Sequence, residues 1–287
     1  VGKHIAGVAA LAAALLISGC TASADADGPA PSQAPTTVAA APPPAAPDKP
    51  AGEDGGTAAD TAAAYAKWGL EPLAAPPAPP RTKPVRTGGG PVPVISEIPT
   101  TDKVVFLTFD DGAEKDPEFV AMMRDLKIPF TMFLTDAAIR DDYTYFTPLS
   151  AELGAGVANH TLTHPNLRTL GAAAQQREIC GQQEKLRRTY GTAPRLFRPP
   201  YGNWNEDTRT AARACGVEAI VLWRESMQIT NMQYQRSDRK LHPGDIVLAH
   251  FRGKQDLKGT SMTGMTANML RRIQEQGFTV ARLEDYL

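Results

Sequence analysis

Aromatic residues are scarce in this sequence, and cysteine is scarcer. Phe, Trp and Tyr make up 7% of the 287 residues, and there are three cysteines. A disulfide-stapled miniature scaffold is thereby excluded, since such chains are far richer in Cys. An excess of charge of one sign is missing too: 30 Lys and Arg face 31 Asp and Glu. Nucleic-acid binders usually show a basic face, so no nucleic-acid partner is expected. No Gly-rich phosphate loop follows any strand-like run, which sets nucleotide binding aside. The apolar run near the start, "IAGVAALAAALLI", is too short for a comfortable membrane span of about 20 residues.

What is present begins with an export signal. Lys3 precedes the apolar run, which ends in "LISGC", Leu16 to Cys20, similar to the lipobox of bacterial lipoproteins. Residues 1–20 are therefore read as a signal peptide with Cys20 lipidated, Val1 being translated from an alternative start codon. The chain would then be extracytoplasmic, anchored to the outer face of the cell membrane through lipid alone. Residues 21–98 are dominated by Ala, Pro, Gly and Thr and have too few large apolar side chains to offset ordering entropy. They read as a disordered tether, in which only the stretch around Trp68 could pack. Residues 99–287 form one domain with a sizeable core, expected to be a monomer. With Cys20 lipidated, Cys180 and Cys215 remain. In an oxidising compartment they suit a disulfide; the alternative is two buried free thiols on neighbouring helices.

Within the domain, strand-like runs alternate with helical patterns. "KVVFLTF", "PFTMFL", "AGVAN", "RLFR", "VEAIVLW" and "GDIVLAHF" are the strands. Between them lie segments such as 116–128, with Phe119, Met122, Met123 and Leu126 at helical spacing. The alternation implies an α/β fold with a parallel sheet, closed as an irregular barrel.

Asp110-Asp111-Gly112, taken alone, reads as a turn. Yet His160 and His164 follow "AGVAN", Arg198 follows "RLF", Trp223 closes "VEAIVL" and His250 closes "DIVLA". The carboxyl ends of parallel barrel strands share one rim, where active sites are built. So many coincidences turn the corner into a site. His160 and His164, four apart, are expected on one face of a helical turn. Two imidazoles and a carboxylate leave open positions, as a catalytic zinc requires. The Glu of an H-E-x-x-H peptidase motif is absent. Asn159-His160-Thr161 is also a glycosylation sequon, a reading the lipobox argues against. Arg198 could hold Asp110 ionised and aimed.

Together "TFDDG", "HTLTH", "RPPYG" and "DIVLAHF", in that order and spacing, resemble the polysaccharide deacetylases of the NodB-homology type, the family 4 carbohydrate esterases. The resemblance covers residues 104–283. It implies a distorted (β/α)7-type barrel and metal-dependent removal of acetyl groups from N-acetylated sugars. By position it makes Asp111, His160 and His164 ligands of one divalent metal, usually Zn2+, with Co2+ or Ni2+ as alternatives. Asp110 becomes the general base, Arg198 its orienter and His250 the general acid. The backbone N–H of Tyr201 would hold the oxyanion, while Pro199, Trp223 and Leu248 line the substrate pocket. One part of the family pattern is missing: no Asp-Trp pair, whose Asp supports the catalytic His, follows Trp223. Glu225 is the nearest acidic residue and is expected to substitute as the partner of His250. The implied substrate is an N-acetylated cell-envelope glycan, peptidoglycan foremost. The rivals are a wall protein that binds glycan with little turnover and an O-acetyl esterase of the xylan type.

Overall fold

A computed structural model describes residues 57–287. The signal, lipobox Cys20 and the first part of the expected tether lie outside the described residues. The chain runs α1 (Ala58–Lys67), β1 (Val94–Ile95), β2 (Val104–Asp111), α2 (Pro117–Leu126), β3 (Thr131–Leu134), α3 (Asp136–Ile139), α4 (Thr147–Ala151), β4 (Gly156–Asn159) and α5 (Ala172–Tyr190). It continues β5 (Leu196–Phe197), α6 (Glu206–Ala214), β6 (Ala219–Val221), β7 (Glu225–Met227), β8 (Met232–Tyr234), β9 (Ile246–His250), α7 (Met262–Glu275) and β10 (Thr279–Val280).

Strands β6, β5, β4, β3, β2, β9 and β7 lie side by side in that order, all parallel. Parallel strands buried on both faces need unbroken apolar runs. β2 meets this, with every residue from Val104 to Asp110 buried. β1 extends the sheet beyond β6, and antiparallel β8 extends it beyond β7. The sheet curls, and the chain after β1 crosses its open side, where Glu97 bridges Asp245 just ahead of β9. Gly244 is needed at this seam. Its φ is +86°, and a Cβ there would lie 1.9 Å from the Ile98 carbonyl oxygen. The result is the expected distorted barrel with helices outside it.

Local chemistry sets the helix ends. Asp116 caps α2 by accepting the Glu118 N–H, Pro117 occupies its first turn, and Lys127 ends it at φ 52°. Phe119, Met122, Met123 and Leu126, the apolar residues at helical spacing, are all buried as that spacing predicts. Asn205 and Thr208 cap α6 reciprocally, and Gly191 ends α5 at φ 80°.

The expectation of a disordered tether through residue 98 fails from Thr57 onward. α1 carries its own capping box, and Tyr65 is buried with its hydroxyl donating to the Leu126 carbonyl. Trp68 Nε1 donates to Asp125, while Leu70, Val85 and Val92 are buried. The prolines between these anchors leave few N–H groups to satisfy. The strap's carbonyls accept from side chains of the domain: Gly69 from Arg271, Glu71 and Pro72 from Gln274, and Val92 from Arg209. Average composition concealed a few well-placed anchors.

Cys180 on α5 and Cys215 at the end of α6 are joined in a disulfide across 35 residues of sequence. The free-thiol alternative therefore does not hold.

Candidate active site

Asp110 and Asp111 end β2, His160 follows β4, Arg198 follows β5, Trp223 follows β6 and His250 ends β9. All stand on one rim, as barrel topology requires. Gly112, which turns the chain out of β2, has φ +87°, and a Cβ on it would lie 2.4 Å from Ile139. Only glycine fits beneath this corner.

His160 and His164 do come together, though not on a helical turn. Residues 160–164 form an irregular loop in which Thr161 and His164 take positive φ, 72° and 57°. Asp111 and Tyr201 do the same, at 73° and 61°. Four of the seven positive-φ non-glycine residues among the described residues thus belong to this site. Such strain persists only where surrounding structure imposes it, and it gathers at functional sites.

The surroundings that impose it were not foreseen from sequence. Asn159, fully buried, accepts the Thr161 N–H on Oδ1 and donates from Nδ2 to the Ile179 carbonyl and Gln183. Thr135 Oγ1 donates to the Thr161 carbonyl, and Thr161 Oγ1 accepts the His164 N–H. Leu162 N–H and Thr163 N–H both donate to Glu178 on α5. The available signal was a polar residue ending an otherwise small and apolar strand.

Asp111 Oδ1 lies 3.3 Å from His164 Nε2 and 3.6 Å from His160 Nε2, and it accepts no hydrogen bond. Ligands about 2.0–2.2 Å from one tetrahedral zinc would sit roughly 3.3–3.6 Å apart, which these two separations match, and all three ligand atoms lie within 4.8 Å of one another, so the set could hold a metal ion. His160 Nδ1–H donates to the Arg198 carbonyl at 2.7 Å, which leaves Nε2 as the lone-pair nitrogen facing Asp111. Burial brings His160 down to about 4, so the ring is neutral, as a ligand must be. Burial pushes Asp111 up, but the contacts with His164, His160 and His250 outweigh it and hold the carboxyl well below its usual range.

Asp110 is turned the other way. Its Oδ1 accepts from Arg198 Nη1 at 2.6 Å, and its Oδ2 lies 3.7 Å from His160 Nε2. Arg198 is fully buried against the Phe133 ring, 4.1 Å from its centroid. It also donates to Thr108 Oγ1 and to the Val221 and Leu222 carbonyls, which ties β2, β5 and the end of β6 together. Burial raises Asp110, with Arg198 pulling against it. A carboxylate made more basic yet aimed is suited to taking a proton. Burial likewise lowers His250, opposed first by Asp110 and then by Asp111.

Tyr201 packs its ring edge-on to His164 at 4.9 Å and is 65% exposed, at the lip of the site. Pro199 and Leu248 are buried, and Trp223 is half-buried beside Arg198.

Glu225 is the one predicted site residue that the structure removes. It opens β7 in register with Val247, three residues before His250, and faces Asp245 and Arg236. The Arg224 N–H bonds to the Ile246 carbonyl, so the chain re-enters the sheet directly after Trp223. That places Glu225 inside the seam and away from His250.

Residues 97–220 match a family model described as polysaccharide deacetylase. An uncharacterized protein of Streptomyces coelicolor is 44% identical over 196 residues, 68% of this chain and 77% of that one. A chitooligosaccharide deacetylase of Sinorhizobium fredii is 33% identical over 119 residues, 40% of this chain and 55% of that one. The peptidoglycan-N-acetylmuramic acid deacetylase PdaA of Bacillus subtilis is 25% identical over 198 residues, 66% of this chain and 73% of that one. The solved structure of PdaA, described as a family 4 carbohydrate esterase, superposes with a TM-score of 0.54 at 21% identity. It covers 67% of this chain and 84% of that one.

Proposed function

The chain belongs to the polysaccharide deacetylase family, and from that premise we propose a metal-dependent deacetylase of a cell-envelope glycan, peptidoglycan foremost. The observation that carries this reading is a metal-ligand set and an aimed, raised carboxylate side by side on one rim. Asp111 Oδ1, facing two imidazole nitrogens without a donor, supports the ligand assignment, and its neighbour Asp110 is held by Arg198 instead. The two nitrogens and one oxygen favour Zn2+, with Co2+ or Ni2+ close behind. A divalent ion held there would supply Lewis acidity, polarising the acetyl carbonyl and making water nucleophilic near neutral pH.

The remaining steps belong to the chain. Asp110 takes a proton from the attacking water, and Arg198, by holding one carboxylate oxygen, leaves the other free for that proton. The backbone N–H of Tyr201 donates to the oxygen that gains charge, which lowers the barrier only if it is positioned beforehand. The left-handed turn at Tyr201 is consistent with such positioning. His250, on the neighbouring strand, gives a proton to the departing amine. Leu248 and Trp223 offer apolar walls for the methyl group. With Cys20 lipidated, the domain would lie outside the membrane, where the proposed substrate is.

The chain should release acetate from peptidoglycan, more slowly from chitooligosaccharide, and hardly from acetylxylan. Chelation should stop release, and added Zn2+ should restore it. Release that survives exhaustive chelation would overturn the reading.

A further inference from the structure

A short run of α5, from Glu178 to Gly181, braces the loop that carries His160 and His164. Glu178 accepts the Leu162 N–H on its backbone carbonyl, and its two carboxylate oxygens accept the Thr163 N–H and hydroxyl. The Ile179 carbonyl accepts from Asn159 Nδ2. Gly181 lets Leu162 approach the helix, since a Cβ there would lie 2.4 Å from Leu162 Cδ1. Cys180 is the remaining member of the run. It lies roughly 200° round the helix from Glu178, on the far side from the loop, and there it is bonded to Cys215 at the end of α6.

α5 and α6 are also joined nearer their starts, where Gln175 hydrogen-bonds to Asn205 and Thr208. Bonds of that kind are worth about 1 kcal/mol each. Among the described residues the disulfide is the one covalent tie between the two helices, and it falls within the very turn that braces the loop. The position matters because the loop is strained. Thr161 and His164 hold positive φ only while their surroundings impose it. Were this turn of α5 free to shift, the loop would relax and the two imidazoles would part from Asp111.

We propose that the Cys180–Cys215 disulfide is a positioning clamp for the metal-ligand loop, so that metal affinity depends on a covalent bond lying outside the site. The inference rests on the metal-dependent reading of that site, and its test separates the two.

The test uses the full chain, held below the lowest melting temperature of the variants. Zinc affinity is read by competition with a chelator, and amide exchange of Leu162 and Thr163 is read without metal. Cys180→Ser with Cys215→Ser should weaken zinc binding about tenfold and speed exchange of both amides about tenfold. Glu178→Ala should weaken zinc to a similar degree. Glu178→Gln, whose amide can still accept the Thr163 N–H, should stay within about threefold of wild type. Adding Glu178→Ala to the cysteine variant should cost little more than the larger single loss, because both act through one set of contacts. Tyr65→Ala, which lowers stability at α2 instead, should leave zinc affinity within about twofold. Unchanged exchange in the cysteine variant, or zinc affinity within about twofold of a wild type that binds zinc, would overturn the clamp. So would fully additive losses in the combined variant, or an equal zinc loss in Tyr65→Ala. A wild type that binds no zinc, with exchange still faster in the cysteine variant, would sink the metal-dependent reading and leave the clamp standing.

Discussion

Asp110 and Asp111 are neighbours in sequence with different surroundings, and Asn at each position separates their tasks. At Asp111 the oxygen 3.3 Å and 3.6 Å from the two imidazole nitrogens has no donor. Asp111→Asn puts a neutral, weaker ligand there. Loss of an outer-shell partner alone costs about 10–100-fold in metal affinity, so loss of a charged ligand should cost more than about 100-fold. Asp110→Asn keeps an oxygen for the 2.6 Å bond from Arg198 but removes the base. Zinc should stay, while kcat falls by about 10²–10⁴. Stability must be followed as well, because Arg198 is fully buried and would lose its counter-charge. Breaking such a pair costs about 3–5 kcal/mol. The retained bond and the contacts to Thr108, Val221 and Leu222 favour the lower end. At about 2–4 °C per kcal/mol for a domain of this size, melting should drop by about 6–12 °C. The assays are bound zinc after dialysis, acetate release below the melting temperature, and the melting curve. Equal zinc loss in both variants would refute the division of roles.

Burial, then Asp245, pushes Glu225 up to about 9 from its usual 4.5. The folded state therefore keeps a proton that the unfolded chain releases, and stability should fall as pH rises through that window. Glu225→Gln should flatten this fall in melting temperature and leave the pH profile of kcat/KM in place; a displaced profile would put Glu225 back beside His250. The disulfide closes a loop worth about 4 kcal/mol in the chain-entropy model, so Cys180→Ser with Cys215→Ser should lower melting by about 8–16 °C. Unchanged melting would show that the bridge adds nothing. Tyr65→Ala should cost about 2–4 kcal/mol by leaving a cavity against α2, whereas in a disordered tether it would cost nothing.

The strands and their shared rim were legible because parallel strands covered on both faces must be written as unbroken apolar runs. "VVFLTF" and "DIVLA" are such runs, and each hands a reactive residue to the same end of the barrel. The helix over 117–126 was legible from its buried stripe for the same reason. The strap over 57–98 was not. Its order depends on single residues such as Tyr65, Trp68 and Val92, spaced among prolines and alanines, and on distant Arg and Gln side chains that donate to its backbone carbonyls. No local window contains those partners.

The site residues were legible by type and position, and their supports were not. His-x-x-x-His reads as a helical spacing, but the rings meet here because Thr161 and His164 adopt a left-handed backbone that neither residue advertises. That geometry is enforced from α5 and β3 through Asn159, Thr135 and Glu178, contacts between segments far apart in sequence. Glu225 was misplaced for a related reason. Proximity in sequence to Trp223 suggested a loop on the rim, whereas a single ladder bond from Arg224 to Ile246 returns the chain to the sheet and reverses where the carboxylate faces. His250 is then left with Asp110 and Asp111 as the carboxylates that favour its protonated form. The proposed acid is thus tuned by the proposed base and metal ligand, Asp110 and Asp111.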